Sequence, residues 1–308
     1  MPHVRLIQAS VILSVLWVAL GRARADVVIC QDSRDGTSII ADNTGARDVA
    51  EKIENCLRYA VLTNGVWEIP KGVYLINWGL DSPRAMIWRT QGSAGTAVCP
   101  YNDNGATCAV LKAHPTLDTN LAARHPMIQV TSSSFVMDHL IIDGNRTSRP
   151  ASCPDNYRGS NLFFTSSATS SRFTRSVTRN ALCGSGCVVD ADQMTVSENY
   201  FFQNGIHTLG LVSDGLTITN CSSCTINNNN LTDNTDVQMV MGNGTNTSIT
   251  ANTFQSVSRA AFAAFALDNF NQSALGNFQG TTVQGNTILC GSLCDLAMNI
   301  VRFRPGPS

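Results

Sequence analysis

From Val177 onward the chain repeats one short pattern, hydrophobic-x-x-Asn-x-hydrophobic. Its copies are Val177/Asn180/Leu182, Val196/Asn199/Phe201, Ile226/Asn229/Leu231, Ile249/Asn252/Phe254 and Val283/Asn286/Ile288, with asparagines 19, 30, 23 and 34 residues apart. A period near 20–25 with occasional excess is that of solenoid coils carrying loops at their turns. Leu216-Thr217-Ile218-Thr219 and Val237-Gln238-Met239-Val240 alternate with period two and read as strands. Asparagine recurs at such turns because it tolerates left-handed backbone and its amide satisfies neighbouring backbone groups. Stacked coil on coil, the amides can bond to one another as a ladder, which makes them scaffold. The pattern predicts an all-β chain folded as a right-handed parallel β-helix.

Upstream the register weakens. Phe135-Val136-Met137 and Leu140 to Asn145 read as earlier coils, and Ser93 to Ala109 as a loop excursion. The run Ala46 to Leu57 reads as an amphipathic helix with Val49, Ile53 and Leu57 on one face and Thr44 or Asp48 at its start. Such a helix hides the open end of a first coil. A strand follows at Val66 to Ile69. The expected organisation is one β-helix over 26–308: a cap and first strand over 26–75, irregular early coils over 76–176, and regular coils over 177–308.

The capping helix followed by Trp67-Glu68-Ile69-Pro70-Lys71-Gly72-Val73-Tyr74 resembles the opening of the pectate-lyase superfamily, where a helix precedes a strand ending in Pro-x-Gly-x-Tyr. The asparagine-bearing coils are similar too. The resemblance covers roughly residues 40–300 and specifies a fold far better than a reaction.

Composition narrows the setting. A formal net charge of −1 offers no basic footprint for nucleic acid. Arg5, the apolar run Ala9 to Leu20 and Ala23-Arg24-Ala25 read as a secretory leader over 1–25, so an extracellular, monomeric protein without a membrane span is expected. The 11 cysteines agree with export. They fall into close pairs, Cys99/Cys108, Cys183/Cys187, Cys221/Cys224 and Cys290/Cys294, with Cys30/Cys56 joining arm to helix and Cys153 left over. Spacing alone leaves the connectivity open. Zinc at Cys221-x-x-Cys224 lacks a second ligand pair. Sequons stand at Asn145, Asn220, Asn230, Asn243, Asn246 and Asn271.

The asparagines also serve as a ruler. Seven positions after each come Cys187, Ile206, Asp236, Arg259 and Leu293, which sets Asp236 beside Arg259 on adjacent coils, ~4.8 Å apart along the stack. His207 falls nearby, Asp214 leads into Gly215-Leu216, and Asp233 stands at a turn. Asp233-Asn234-Thr235-Asp236 is similar to the first catalytic motif of polygalacturonases, whose Asp is one carboxylate of a hydrolytic set. The sequence departs from that family at Ser256-Val257-Ser258-Arg259, where paired aspartates are expected, and lacks Gly-His-Gly and Arg-x-Lys. Asp214 with Asp236 would supply the two carboxyl groups glycoside hydrolysis requires.

β-Elimination from a uronate instead needs its carboxylate neutralised and a base for the C5 proton. Superfamily lyases combine calcium-binding aspartates with an arginine base, which points to calcium at Asp233 and Asp236 and to Arg259 as base. Arg146 and Arg149 would hold the acidic sugar. Each group also has a plain reading: an ion pair for Asp236 and Arg259, a surface histidine, and turn residues for Asp214 and Asp143. The missing second hydrolase motif tips the reading toward a polysaccharide lyase. A hydrolase, a C5 epimerase and a non-catalytic glycan-binding β-helix remain alternatives.

Overall fold

A computed structural model describes residues 26–300 apart from 61–64, 83, 95–96, 118–125, 151, 154 and 269–275. The expected leader and the sequon at Asn271 lie outside the described residues. The chain winds as a right-handed parallel β-helix. Each coil lays down one strand in each of three long sheets of eight, nine and eight strands. The first coil shows the scheme, with Val66–Ile69 in the first sheet, Gly72–Ile76 in the second and Leu80–Ser82 in the third. The last coil repeats it at Thr282–Gln284, Thr287–Leu289 and Cys294–Ile300.

Many strands are only three residues long, with the middle side chain turned inward. Trp67, Trp88, Met137, Phe173, Val196, Ile226 and Ile249 follow one another in register down the first sheet, all buried. Trp67 meets Trp88 edge-on at 5.3 Å, and Trp88 meets Phe135 at 5.1 Å. The helix Ala50–Tyr59 buries Ile53 and Leu57 over the first coil, as expected, together with Val49 just before it. It begins later than the sequence pattern implies, because Thr44–Asp48 is a strand of the second sheet. Asp48 stands at its start, accepting the N–H of Ala50 and of Asn77.

The corner between the first and second sheets holds the asparagine ladder. Asn199, Asn229 and Asn252 each donate an amide hydrogen to the next amide oxygen, at 3.1, 2.9 and 3.0 Å, ending on Asn286. Each oxygen also accepts a backbone N–H one coil back, beginning with Ser176 on Asn199. Asn180 is not a member. It stands in left-handed backbone (φ 56°) at the next corner, and Ser176 fills the ladder position 23 residues before Asn199. The first repeat spacing is therefore 23, not 19.

Disulfides join Cys30–Cys56, Cys99–Cys108, Cys221–Cys224 and Cys290–Cys294, four of the expected pairs. The expected Cys183/Cys187 pair does not form, and Cys153 is not left over. Cys183 sits at a corner and bonds Cys153, whereas Cys187 points into the core from strand Gly184–Asp190. There it lies in register between Leu162 and Leu216 as a free thiol. Five disulfides among the described residues fit an oxidising compartment. No described helix is long and apolar enough to cross a membrane.

Candidate active site

The charged residues singled out in the sequence gather at one corner, where the chain passes from the second sheet to the third. Asn180, Gln203 and Asp233 take the same left-handed seat there on successive coils (φ 56°, 55° and 58°). Behind them runs a second, shorter ladder. Asn204 donates to Asn234 and Asn234 to Gln238, each at 2.7 Å, and Gln238 reaches Ser256 at 3.1 Å. This ladder is hidden in the sequence, because Asn234 also reads as part of a catalytic motif and Gln238 as a strand residue. The recurrence of Asn five positions after Asn199 and Asn229 was the available signal.

On this floor Asp214 and Asp236 come together. Asp214 lies in strand Ser213–Asn220, half-buried, and its Oδ1 accepts the N–H of Val237 at 3.1 Å. Its Oδ2 accepts the Thr217 hydroxyl at 2.7 Å, and that hydroxyl lies 2.6 Å from Ser185 Oγ. Desolvation, followed by the charge of Asp236, pushes the Asp214 carboxyl up to about 7. Desolvation also raises Asp236, while His207 opposes it. The Asp236 carboxylate makes no hydrogen bond to any described residue. His207 is exposed, with Nε2 2.8 Å from the Ala260 carbonyl, a contact that places the hydrogen on Nε2 and leaves Nδ1 free.

Arg259 does not pair with Asp236. Thr232 is opposite Gln255, but Val237 is opposite Ala263, so the turn 256–262 is three residues longer than 233–236. That insertion moves Asp236 opposite Phe262, whose N–H it receives, and carries Arg259 back to Asp233. The Arg259 guanidinium donates to the carbonyls of Gly205 at 2.8 Å and Gln203 at 3.3 Å. Arg146, buried at 7% exposure, also donates to the Gln203 carbonyl and to Asn180 Oδ1 at 3.0 Å. Two guanidiniums thus share one carbonyl, and no carboxylate is in salt-bridge contact with either among the described residues. Burial and then Arg259 push Arg146 down to about 10, and burial lowers Arg259. Arg149 is placed otherwise. It is buried and bonds the Gly144 carbonyl at 3.0 Å.

Asp233 does not fit calcium. Its Oδ1 accepts the N–H of Val257, Ser258 and Arg259, and its Oδ2 accepts the Ser258 hydroxyl at 2.6 Å. Four donors use the roughly four acceptor positions of a carboxylate. They hold it below the ordinary range against the opposing cost of burial. No cluster of three or more His, Cys, Asp or Glu suited to a metal occurs among the described residues.

No family model matches the chain, and no curated protein resembles it closely enough to match. Among solved structures it is similar to the Dettilon tailspike protein gp208 (TM-score 0.51, 15% identity, covering 80% of this chain and 48% of that one). It is similar to the catalytic unit of a GH87 α-1,3-glucanase from Streptomyces thermodiastaticus strain HF3-3 (0.51, 17%, 81% and 45%). The Agl-KA catalytic domain gives 0.51, 14%, 79% and 45%. The chain spans about half the length of these structures. What they share with it is the fold: this is a protein of the right-handed parallel β-helix class.

Proposed function

We propose that this chain is an extracellular glycoside hydrolase acting on an acidic polysaccharide, with Asp214 and Asp236 as its two carboxyl groups. The observation that carries this reading is the meeting of two carboxyl groups at the corner, Asp214 on the N–H of Val237 directly after Asp236, where desolvation and the neighbouring charge push Asp214 up to about 7. Two neighbouring acids whose environments separate their titrations divide the labour of glycosidic cleavage. Protonated Asp214 gives its proton to the leaving glycosidic oxygen. Ionised Asp236, the less perturbed of the two, acts on the anomeric carbon directly or through a water. His207 favours the charged form of Asp236. Arg259, backed by Arg146, offers positive charge without a bound carboxylate to an acidic group of the sugar. The likeness to the α-1,3-glucanase supports a polysaccharide substrate by fold analogy.

One observation favours a second reading. The same guanidiniums would neutralise a uronate carboxylate without calcium, leaving Asp236 as the base for β-elimination. Incubation with pectate, alginate and α-1,3-glucan separates the two. New reducing ends without ultraviolet-absorbing unsaturated product mark hydrolysis, and unsaturated product marks elimination. An unchanged rate in Asp214→Asn overturns the hydrolytic scheme, in which Asp214 is the acid.

A further inference from the structure

Next to this corner, on the outer face of the second sheet, lies a group of aromatic rings that the acid pair does not use. Tyr200 and Phe202 project from strand Tyr200–Phe202, one residue on either side of the inward Phe201. Tyr101 arrives from the loop closed by Cys99–Cys108 and lies over them, 4.5 Å from the Phe202 ring and 5.8 Å from Tyr200. Tyr101 is 42% exposed. Its backbone is held: the Arg179 guanidinium donates to its carbonyl at 2.7 Å, Cys99 N–H bonds Arg175, and Asp103 takes the N–H groups of Ala106, Thr107 and Cys108.

The sheet face changes character at this point. On the preceding coils the outward residues Val110, Ile141 and Val177 are buried beneath the Cys99–Cys108 bridge. On the following coils the row becomes Asn230 and Thr253, and the Phe202 row becomes Thr232 and Gln255. The rings therefore stand where a covered apolar surface opens onto amides and hydroxyls. Phe202 immediately precedes Gln203, whose carbonyl receives both Arg146 and Arg259. Its register partner Thr232 opens the turn that ends in Asp236.

We infer that Tyr101, with Tyr200 and Phe202 behind it, is a sugar-stacking subsite for one pyranose ring of the polysaccharide cleaved at Asp214 and Asp236. A rigid, partly exposed ring with apolar backing matches the C–H face of a pyranose, and the adjoining amides and hydroxyls match its rim. The inference rests on the glycan-acting reading of the corner. A protein partner fits less well, because the platform is small and bordered by polar side chains.

Affinity electrophoresis of the full chain through gels containing pectate, alginate or α-1,3-glucan tests it, using Asp214→Asn so that the matrix survives. At least one polymer is expected to retard this variant. Adding Tyr101→Ala is expected to weaken that retardation about three- to ten-fold, the range of one aromatic contact, and Tyr101→Trp to restore it. Retardation unaltered by Tyr101→Ala overturns the subsite, even if the variant melts earlier, since the ring would then be only a lid on Tyr200 and Phe202. Retardation by none of the polymers overturns it too. The two readings fail separately. Cleavage undiminished in Asp214→Asn, with Tyr101-dependent binding intact, removes the acid pair and leaves the platform, and cleavage lost with Tyr101-independent binding does the reverse.

Discussion

The corner between the first and second sheets and the corner between the second and third are built from the same parts, yet only the second brings two carboxyl groups and two guanidiniums together. The charge at the first is the ion pair of Arg175 with Asp138 and an exposed Glu198. At the first, four asparagines run without interruption, and the amide oxygens of Asn229, Asn252 and Asn286 are each filled twice, by an amide and by a backbone N–H. At the second, the ladder is three members long and gives way to turns of unequal length, into which Asp214, Asp236, Arg146, Arg259 and His207 project. A fully satisfied buried network fixes a shape and has nothing left to offer a ligand. Where the repeat lapses, buried and half-buried groups keep unspent charge, and chemistry belongs there.

The largest expected difference between the corners is in turnover. Asp214→Asn and Asp236→Asn should each lower kcat about 10²–10⁴-fold on the cleaved polymer while the far-ultraviolet dichroism stays unchanged. Either variant at full rate dissolves the distinction between the corners. Next comes stability. Asn229→Ala strips two donors and two acceptors of their partners at the first corner and should cost about 2–4 kcal/mol by urea unfolding, with kcat preserved. Asn234→Ala, in the second ladder, should lose both stability and kcat, because it underlies the turn ending in Asp236. If the two variants behave alike, the ladders are equivalent and the contrast is wrong.

A smaller effect belongs to Arg259→Gln, which should raise KM on an acidic polymer about five- to ten-fold and leave a neutral glucan untouched. Equal effects on both polymers would deny it an anionic partner. The smallest concerns pH. Asp214 is raised from the ordinary 3.8 to about 7, so the stability of keeping it neutral is complete below about pH 4 and is lost as pH rises through 7. Asp214→Asn, neutral at every pH, should therefore melt about 2–5 °C above the parent at pH 8 and alongside it at pH 4. A gain independent of pH would place the proton elsewhere.

The fold was legible because burial enforces periodicity. Inward positions and ladder amides must recur at every coil or leave a cavity or an orphaned polar group. Asn180 misled for a physical reason: a left-handed turn selects asparagine as strongly as a ladder does, and both leave hydrophobic-x-x-Asn-x-hydrophobic behind. The six charged residues at the corner, Asp233 and Arg146 included, are legible in the sequence, and so is the pairing of Asp214 with Asp236; the partners of Arg259 are not. Counting from Asn229 and Asn252 presumes equal turns, and three extra residues before Ala263 carry Arg259 away from Asp236 to the Gln203 carbonyl. The Cys153–Cys183 bridge was illegible in the same way, because a loop of unconstrained length brings its first sulfur to the corner.

Cys187, the free thiol locked in the column between Leu162 and Leu216, gives the stack a built-in timer. Burial pushes its ionisation far up, so an alkylating reagent finds no thiolate while the coils stay shut. At reagent concentrations where modification outpaces reclosing, the rate at which the intact protein takes up label equals the frequency with which its middle coils part. That rate can be read on one atom, without denaturant and in the presence of a polysaccharide that ought to slow it.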